Sequence, residues 1–386
     1  MRFIVLIIIT LSSLIAKSQT YPSFGSEIDV TINGLSFDAM EPFVSANGNY
    51  LFFNNLNDGV NTKLYYATKI NDSTFNYTGE LNGTNQSAAP HLDAVADIDS
   101  SNNFYWTSTR NYPADLDNLF YGNFNNGNVT NIGRVRGNFN KNIPGWLVMD
   151  HGISYNGEFL YYNNARLDNN NCTGPCQTEL GIAKKINDST FSQLPNSNTL
   201  LQNINDTNYI YYAPCISSDN LELYYTRYAK GDSISANTTF EICVAVRSTP
   251  TDNFSIPNIL FSEPIANLIE APTLTTDKNI MYYHRKIPGS HKIVMRYRES
   301  PLSIKPSNNT GVNFHIYPNP ANDQLNIKTT TNYNNINISV LSLFGKLLIS
   351  QKNKTKVDIN TLPSGTYFVK IEIDDKIEFQ KFVKAK

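Results

Sequence analysis

Four carboxylates, Glu41, Asp93, Asp150 and Glu270, stand near the starts of strand-like segments in a chain of 386 residues. Paired carboxylates about 5 to 9 Å apart are the machinery of glycoside hydrolysis. Along the same stretch come His91, His151, His284 and the two tryptophans, Trp106 and Trp146, whose rings and polar tips suit ligand binding. No spacing fixes which carboxylates would meet, and each residue taken alone reads more readily as an exposed or ion-paired side chain. Other chemistries have no motif: there is no G-x-S-x-G, no H-E-x-x-H and no Gly-rich phosphate loop. Asp115 and Asp117 form a D-x-D and Asn57-Asp58-Gly59 a polar loop, with too few oxygens for an EF-hand. No cofactor is called for, and calcium in a surface loop is the one the composition leaves open.

The segments that must position these groups recur. Five units open on Glu41-Pro42, Ala89-Pro90, His151-Gly152, Ala213-Pro214 and Ala271-Pro272. Each continues through an Asn- or Asp-containing turn into an apolar run: Tyr50 to Phe53, Phe104 to Trp106, Phe159 to Tyr162, Leu223 to Tyr225 and Ile280 to Tyr283. A second strand-like run follows in every unit. The units recur about every 55 to 63 residues, at or somewhat above propeller-blade length. KINDSTF stands at residues 69–75 and again at 185–191. The aromatic runs do not alternate apolar with polar, so both strand faces must be covered. Blades stacked around an axis cover both. With its Pro, Ser, turn and aromatic strand, the unit resembles the TolB-type propeller repeat. The resemblance implies a β-propeller of five visible blades, with room for a degenerate sixth, whose inner strands line a channel. Residues 21–39, with Ile28 to Ile32, are expected to add the outer strand that closes the ring.

Arg110, Arg166, Arg227 and Arg285 each follow an aromatic strand. Recurrence in four units marks them as scaffold, pairing with carboxylates between blades. The chain holds four cysteines. Cys172 and Cys176 flank Thr-Gly-Pro and are expected to close a local disulfide. Cys215 and Cys243 would sit on the first and third strands of one blade, about 9 to 10 Å apart and beyond bridging reach, so both are expected to be free and buried.

Charge is nearly balanced, formally -2, with only 17% charged residues, which offers no field for a phosphate backbone and excludes nucleic acid as a partner. Arg2, an apolar run to Ile15 and Ala16-Lys17-Ser18 read as a signal peptide over residues 1–18, and no later segment is apolar enough to span a membrane.

After a polar linker over residues 301–312, short alternating segments at even spacing predict a β-sandwich over residues 313–386. Tyr317-Pro318-Asn319-Pro320, Leu325-Asn326-Ile327, Gly345-Lys346, Gly365-Thr366-Tyr367 and the basic end from Lys381 resemble the type A C-terminal sorting domain of the type IX secretion system of Bacteroidetes. That resemblance implies passage through the periplasm, engagement of the type IX machinery, and display on the outer surface or release. The whole reads as an all-β chain: a propeller over residues 19–300 that binds a carbohydrate or protein ligand at a channel mouth, carried outward by its tail. The alternative is a secreted glycoside hydrolase working through the channel carboxylates.

Overall fold

The computed structural model describes residues 20–385 except 59, 87–90, 169–171, 173, 232–233, 300–313, 330–334, 343–346 and 374–375. The expected signal peptide and linker lie outside the described residues, as does Gly345. The chain divides into two compact units, residues 1–299 and 300–386.

The first unit is a five-bladed β-propeller. Innermost strands Met40–Val44, His91–Ile98, Trp146–Ile153, Tyr209–Ile216 and Ile269–Leu274 each begin a run of four antiparallel strands, to which Thr31–Asn33 in blade one and Asn61–Thr62 in blade two add a fifth in parallel. Each packs against the innermost strand of the next blade, and Ile269–Leu274 returns to Met40–Val44, which closes the ring at five. The second strands explain their aromatic runs. In blade one Phe52 enters the wedge toward blade two while Leu51 and Phe53 enter the wedge toward blade five. Phe104 and Trp106 face blade one and Tyr105 faces blade three; Tyr224 faces blade five and Leu223 and Tyr225 face blade three. Period-two geometry thus feeds alternate residues to opposite wedges, and burying each large side chain contributes about 2–3 kcal/mol.

A single turn design links the first two strands of every blade. The Ser45 hydroxyl bonds Asn47 and accepts from the Tyr50 amide; Ser154, Ser217 and Thr275 repeat this with Asn156, Asp219 and Asp277, and Asp99 substitutes its carboxylate. The fourth turn residue, Gly48, Asn102, Gly157, Asn220 or Lys278, has φ between 60° and 72°. Side chains also stitch neighbouring blades. Asn118 exchanges two bonds with the Val148 backbone, and Thr178 and Thr226 accept from the amides of Tyr211 and Ala271.

Three expectations need correction. Part of the N-terminal segment, Ser23–Phe24 and Ile28–Asp29, pairs with Ser290–Glu299 of blade five as the expected outer strand, but Thr31–Asn33 crosses to pair in parallel with Thr74–Glu80 of blade one. The counterpart of Pro42 in blade two is Ala96, because Val95-Ala96 occupies the inner-strand kink; residues 89 and 90 precede the strand and lie outside the described residues. The repeated arginines mostly pair within their own blade: Arg110 with Asp93 and Arg227 with Glu241, both at 2.7 Å, and Arg166 with Asp168 in the loop that follows. Only Arg285 reaches across, to Glu263 of blade four.

A disulfide joins Cys172 and Cys176, with Cα atoms 5.5 Å apart. Cys215 and Cys243 lie on the first and third strands of blade four, free and buried.

The second unit is a two-sheet sandwich. Phe314–Tyr317, Gln324–Thr329 and Lys356–Asp358 form one sheet; Leu347–Lys352, Ile336–Leu341, Gly365–Ile373 and Lys376–Lys384 form the other. Inward residues at period two, such as Leu325, Ile338, Val340, Val369 and Ile371, form its core.

Candidate functional site

The channel is built by a bulge repeated on all five innermost strands. Glu41, Val95, Ala213 and Ala271 take φ of 49–55° there, a left-handed backbone that is costly for non-glycine residues. Aligning the bulges puts Glu41 and Asp150 at the same position in blades one and three. Glu270 stands one residue earlier in blade five, and Tyr212 one earlier in blade four.

Of the carboxylates singled out in the sequence, the fold brings Glu41, Asp150 and Glu270 into one electrostatically coupled group. Asp93 is left out: it is wholly buried, ion-paired with Arg110 and bonded to the Gln86 amide. Glu41 is pushed well above the usual carboxylate range by burial and then by the charges of Asp150 and Glu270, with hydrogen bonds from Asn57 and Asn54 opposing. Asp150, 3% exposed, is raised to about 7, chiefly by burial; the Ala213 backbone N–H opposes the rise and the Glu270 charge adds to it. Burial also raises Glu270, but the bond and charge of His284 and the Tyr212 hydroxyl outweigh it and hold the carboxyl below its ordinary value. The Tyr212 hydroxyl donates to Glu270 at 2.6 Å, His284 Nδ1 lies 2.8 Å from Glu270, and His284 Nε2 lies 2.6 Å from His291 Nδ1. Glu41 Oε2, Asp150 Oδ2 and both ring nitrogens of His151 have no partner among the described residues. Burial depresses His151 to about 3, so the ring is neutral.

There is little room beside these groups. A cavity of about 30 Å³ touches Glu41, Asp150 and His151, and a second of about 40 Å³ lies beyond it. Phe43, Asp97 and Cys215 form part of both walls. A water needs about 10–15 Å³ on this measure, so the first cavity holds a few waters at most and no sugar ring.

The other candidates scatter. Trp106 is wholly buried in the wedge between blades one and two and is packing, not a platform. Trp146 is 9% exposed, with the Lys141 ammonium over its ring. His91 begins the innermost strand of blade two, and its side chain lies outside the described residues. Asp115 and Asp117 are ion-paired with Arg136, and Asp115 also with Arg134, which leaves little charge for calcium. Among the described residues no group of three or more His, Cys, Asp or Glu is arranged to hold a metal.

Sequence reasoning missed a larger feature. In blade three the outermost strand, Thr190–Gln193, ends after 4 residues, and residues 194–208 travel to blade four through the short helix Ser197–Leu200. Leu200, Leu201 and Ile204 anchor this loop in the core between blades three and four. Ser197 accepts from the Ile182 amide, and the Asn205 side chain bonds both backbone groups of Leu180, so loop side chains complete a strand edge. Between this loop and the blades opens a groove of about 520 Å³, walled by Gln177, Gln193, Asn198, Gln202, Tyr209 and Lys230 among others.

In the sandwich the Tyr317-to-Pro320 segment acts as a clasp. Asn319 donates to the Lys381 carbonyl and accepts from the Val383 amide, and Ala321 bonds Val383 and Ala385. The Tyr367 hydroxyl donates to the Pro363 carbonyl. Pro318, Pro320, Gly365 and Thr366 fall in or beside these elements.

The family model for a secretion system C-terminal sorting domain matches residues 315–385. No curated protein matches the chain. Among solved structures the chain is similar to a family 117 glycoside hydrolase produced by the marine bacterium Zobellia galactanivorans, at 12% identity over 76% of this chain and 95% of that one, TM-score 0.43. It is also similar to an endo-arabinase from Bacteroides thetaiotaomicron (12% identity, 72% and 99% covered, TM-score 0.43) and to a structure named for TolB from Agrobacterium tumefaciens (12%, 76% and 83%, TM-score 0.31). Likeness at these scores carries no argument about chemistry.

Proposed function

The C-terminal module is a type IX sorting domain, and its bearer is exported to the cell surface or secreted; from that premise we propose that the propeller is a surface-delivered binding module. The observation that supports this best is the contrast between its openings. The channel cavity beside the carboxylates measures about 30 Å³, while the groove between blades three and four measures about 520 Å³, within the range of ligand sites. On this reading the ligand site lies at the side of the ring rather than at the channel mouth expected from the sequence. A thermal-shift screen of the secreted chain against oligosaccharides and calcium, with the sugars recovered and sized, tests the reading. At about 100 times its dissociation constant a ligand stabilises the propeller by about 2.7 kcal/mol. A shift with intact ligand is expected; a shortened sugar would count against a pure binding module.

One observation favours hydrolysis as a second reading. Asp150 is raised to about 7 while Glu270 is held low, and carboxyls whose environments push them apart are how acid and base roles are assigned. On that reading Asp150 is the proton donor and Glu270 the ionised partner, and the channel mouth must widen to admit substrate. Release of reducing ends that stops in Asp150→Asn would favour it.

A further inference from the structure

We propose that the groove between blades three and four is a subsite for an uncharged oligosaccharide, an inference that rests on the binding-module reading and names its ligand class. The walls carry the argument. Gln177, Gln193, Asn198 and Gln202 present amides, which both donate and accept, as sugar hydroxyls do. The Asn198 and Gln202 side chains are exposed and have no hydrogen-bond partner among the described residues, so their capacity is unspent. Tyr209 adds an aromatic ring to the wall. The Arg227 guanidinium lies 4.2 Å from its ring centroid and is held by Glu241 at 2.7 Å, so the ring is fixed before any ligand arrives, which lowers the ordering cost of binding. A charged ligand gains little, because Glu179 is already paired with Lys141 and Asp206 balances Lys230 in the walls. A greasy ligand is disfavoured because it would strip water from the amides without replacing their hydrogen bonds. The loop that forms the groove also breaks the five-fold repeat where a fourth strand would otherwise run on, and departures from repeat symmetry are where a repeat protein places a specific site.

The test titrates the full secreted chain calorimetrically with neutral trisaccharides of glucose, xylose, mannose, galactose and arabinose, and with trigalacturonate. It is repeated on Asn198→Ala/Gln202→Ala, whose melting temperature should stay unchanged because neither side chain holds the fold together. The expected result is binding of at least one neutral sugar, none of trigalacturonate, and weakening of about tenfold or more in the double variant. Undiminished binding in the double variant overturns the groove while leaving the binding reading intact. Preference for trigalacturonate, or capture of a surface protein with no sugar bound, overturns the ligand class. A chain that binds nothing sinks the binding reading as well.

Discussion

Replacing Asp150 with asparagine should make the propeller more stable at neutral pH, and the size follows from the channel. The carboxyl is buried, one oxygen has no partner, and its folded value is raised to about 7. An unfolded aspartate titrates near 3.9. As pH rises from about 4 to 7, the unfolded chain releases this proton while the folded chain retains it, so stability falls across that window. At about 1.4 kcal/mol per unit the ceiling is about 4 kcal/mol. Asparagine keeps the shape, can still accept from the Ala213 amide, and has no charge to lose. Half of that ceiling corresponds to a rise of roughly 3–4 °C in Tm for a domain of this size. Differential scanning calorimetry of the full chain and Asp150→Asn from about pH 4.5 to 7.5 should show the gap widening with pH. A variant less stable at pH 7.5, or a gap independent of pH, would refute the description of the channel carboxylates as a buried, mutually repelling cluster.

Three further outcomes are expected. Glu222 of blade four accepts from both Arg298 terminal nitrogens at 2.8 and 2.9 Å and from Lys278 at 3.1 Å; Lys278 keeps Asp219 as a partner, so Glu222→Ala leaves Arg298 without its carboxylate at the junction with blade five, and denaturant titration should show a loss of about 2 kcal/mol. Phe24 packs edge-on against Tyr224 and Phe261, and Phe24→Ala should loosen the ring closure, cost about 3 kcal/mol and speed proteolysis of the N-terminal segment. Asn319→Ala unfastens the last strand from the sorting motif, costing the sandwich about 1–2 kcal/mol; cell fractionation should find the protein accumulating inside the cell, and normal delivery would show that the clasp is dispensable.

Much of the scaffold is written in local chemistry. The aromatic runs are legible because each must fill two wedges, and the turns because a hydroxyl or carboxylate followed by Asn or Asp builds the same hydrogen bonds in every blade. Blade two misled because its kink lacks proline. Counting three residues back from the first turn residue lands on Pro42, Pro214 and Pro272, and from Asp99 on Ala96, which would have found it. The same count places Glu41 and Asp150 at one position and pairs Tyr212 with Glu270, so the channel cluster was partly readable. Asp93 was not separable from it, since its partner Arg110 comes from the neighbouring strand. The groove was hidden because it arises from a strand that stops early and a loop anchored by Leu200, Leu201 and Ile204, with no motif of its own.

The most direct test of the account is calorimetric titration of the secreted chain with a neutral oligosaccharide, followed by chromatography of the recovered sugar. The account predicts saturable binding, a ligand recovered intact, and loss of the signal in Asn198→Ala/Gln202→Ala. Shortened sugar, with turnover abolished by Asp150→Asn, would place the function in the channel and contradict it.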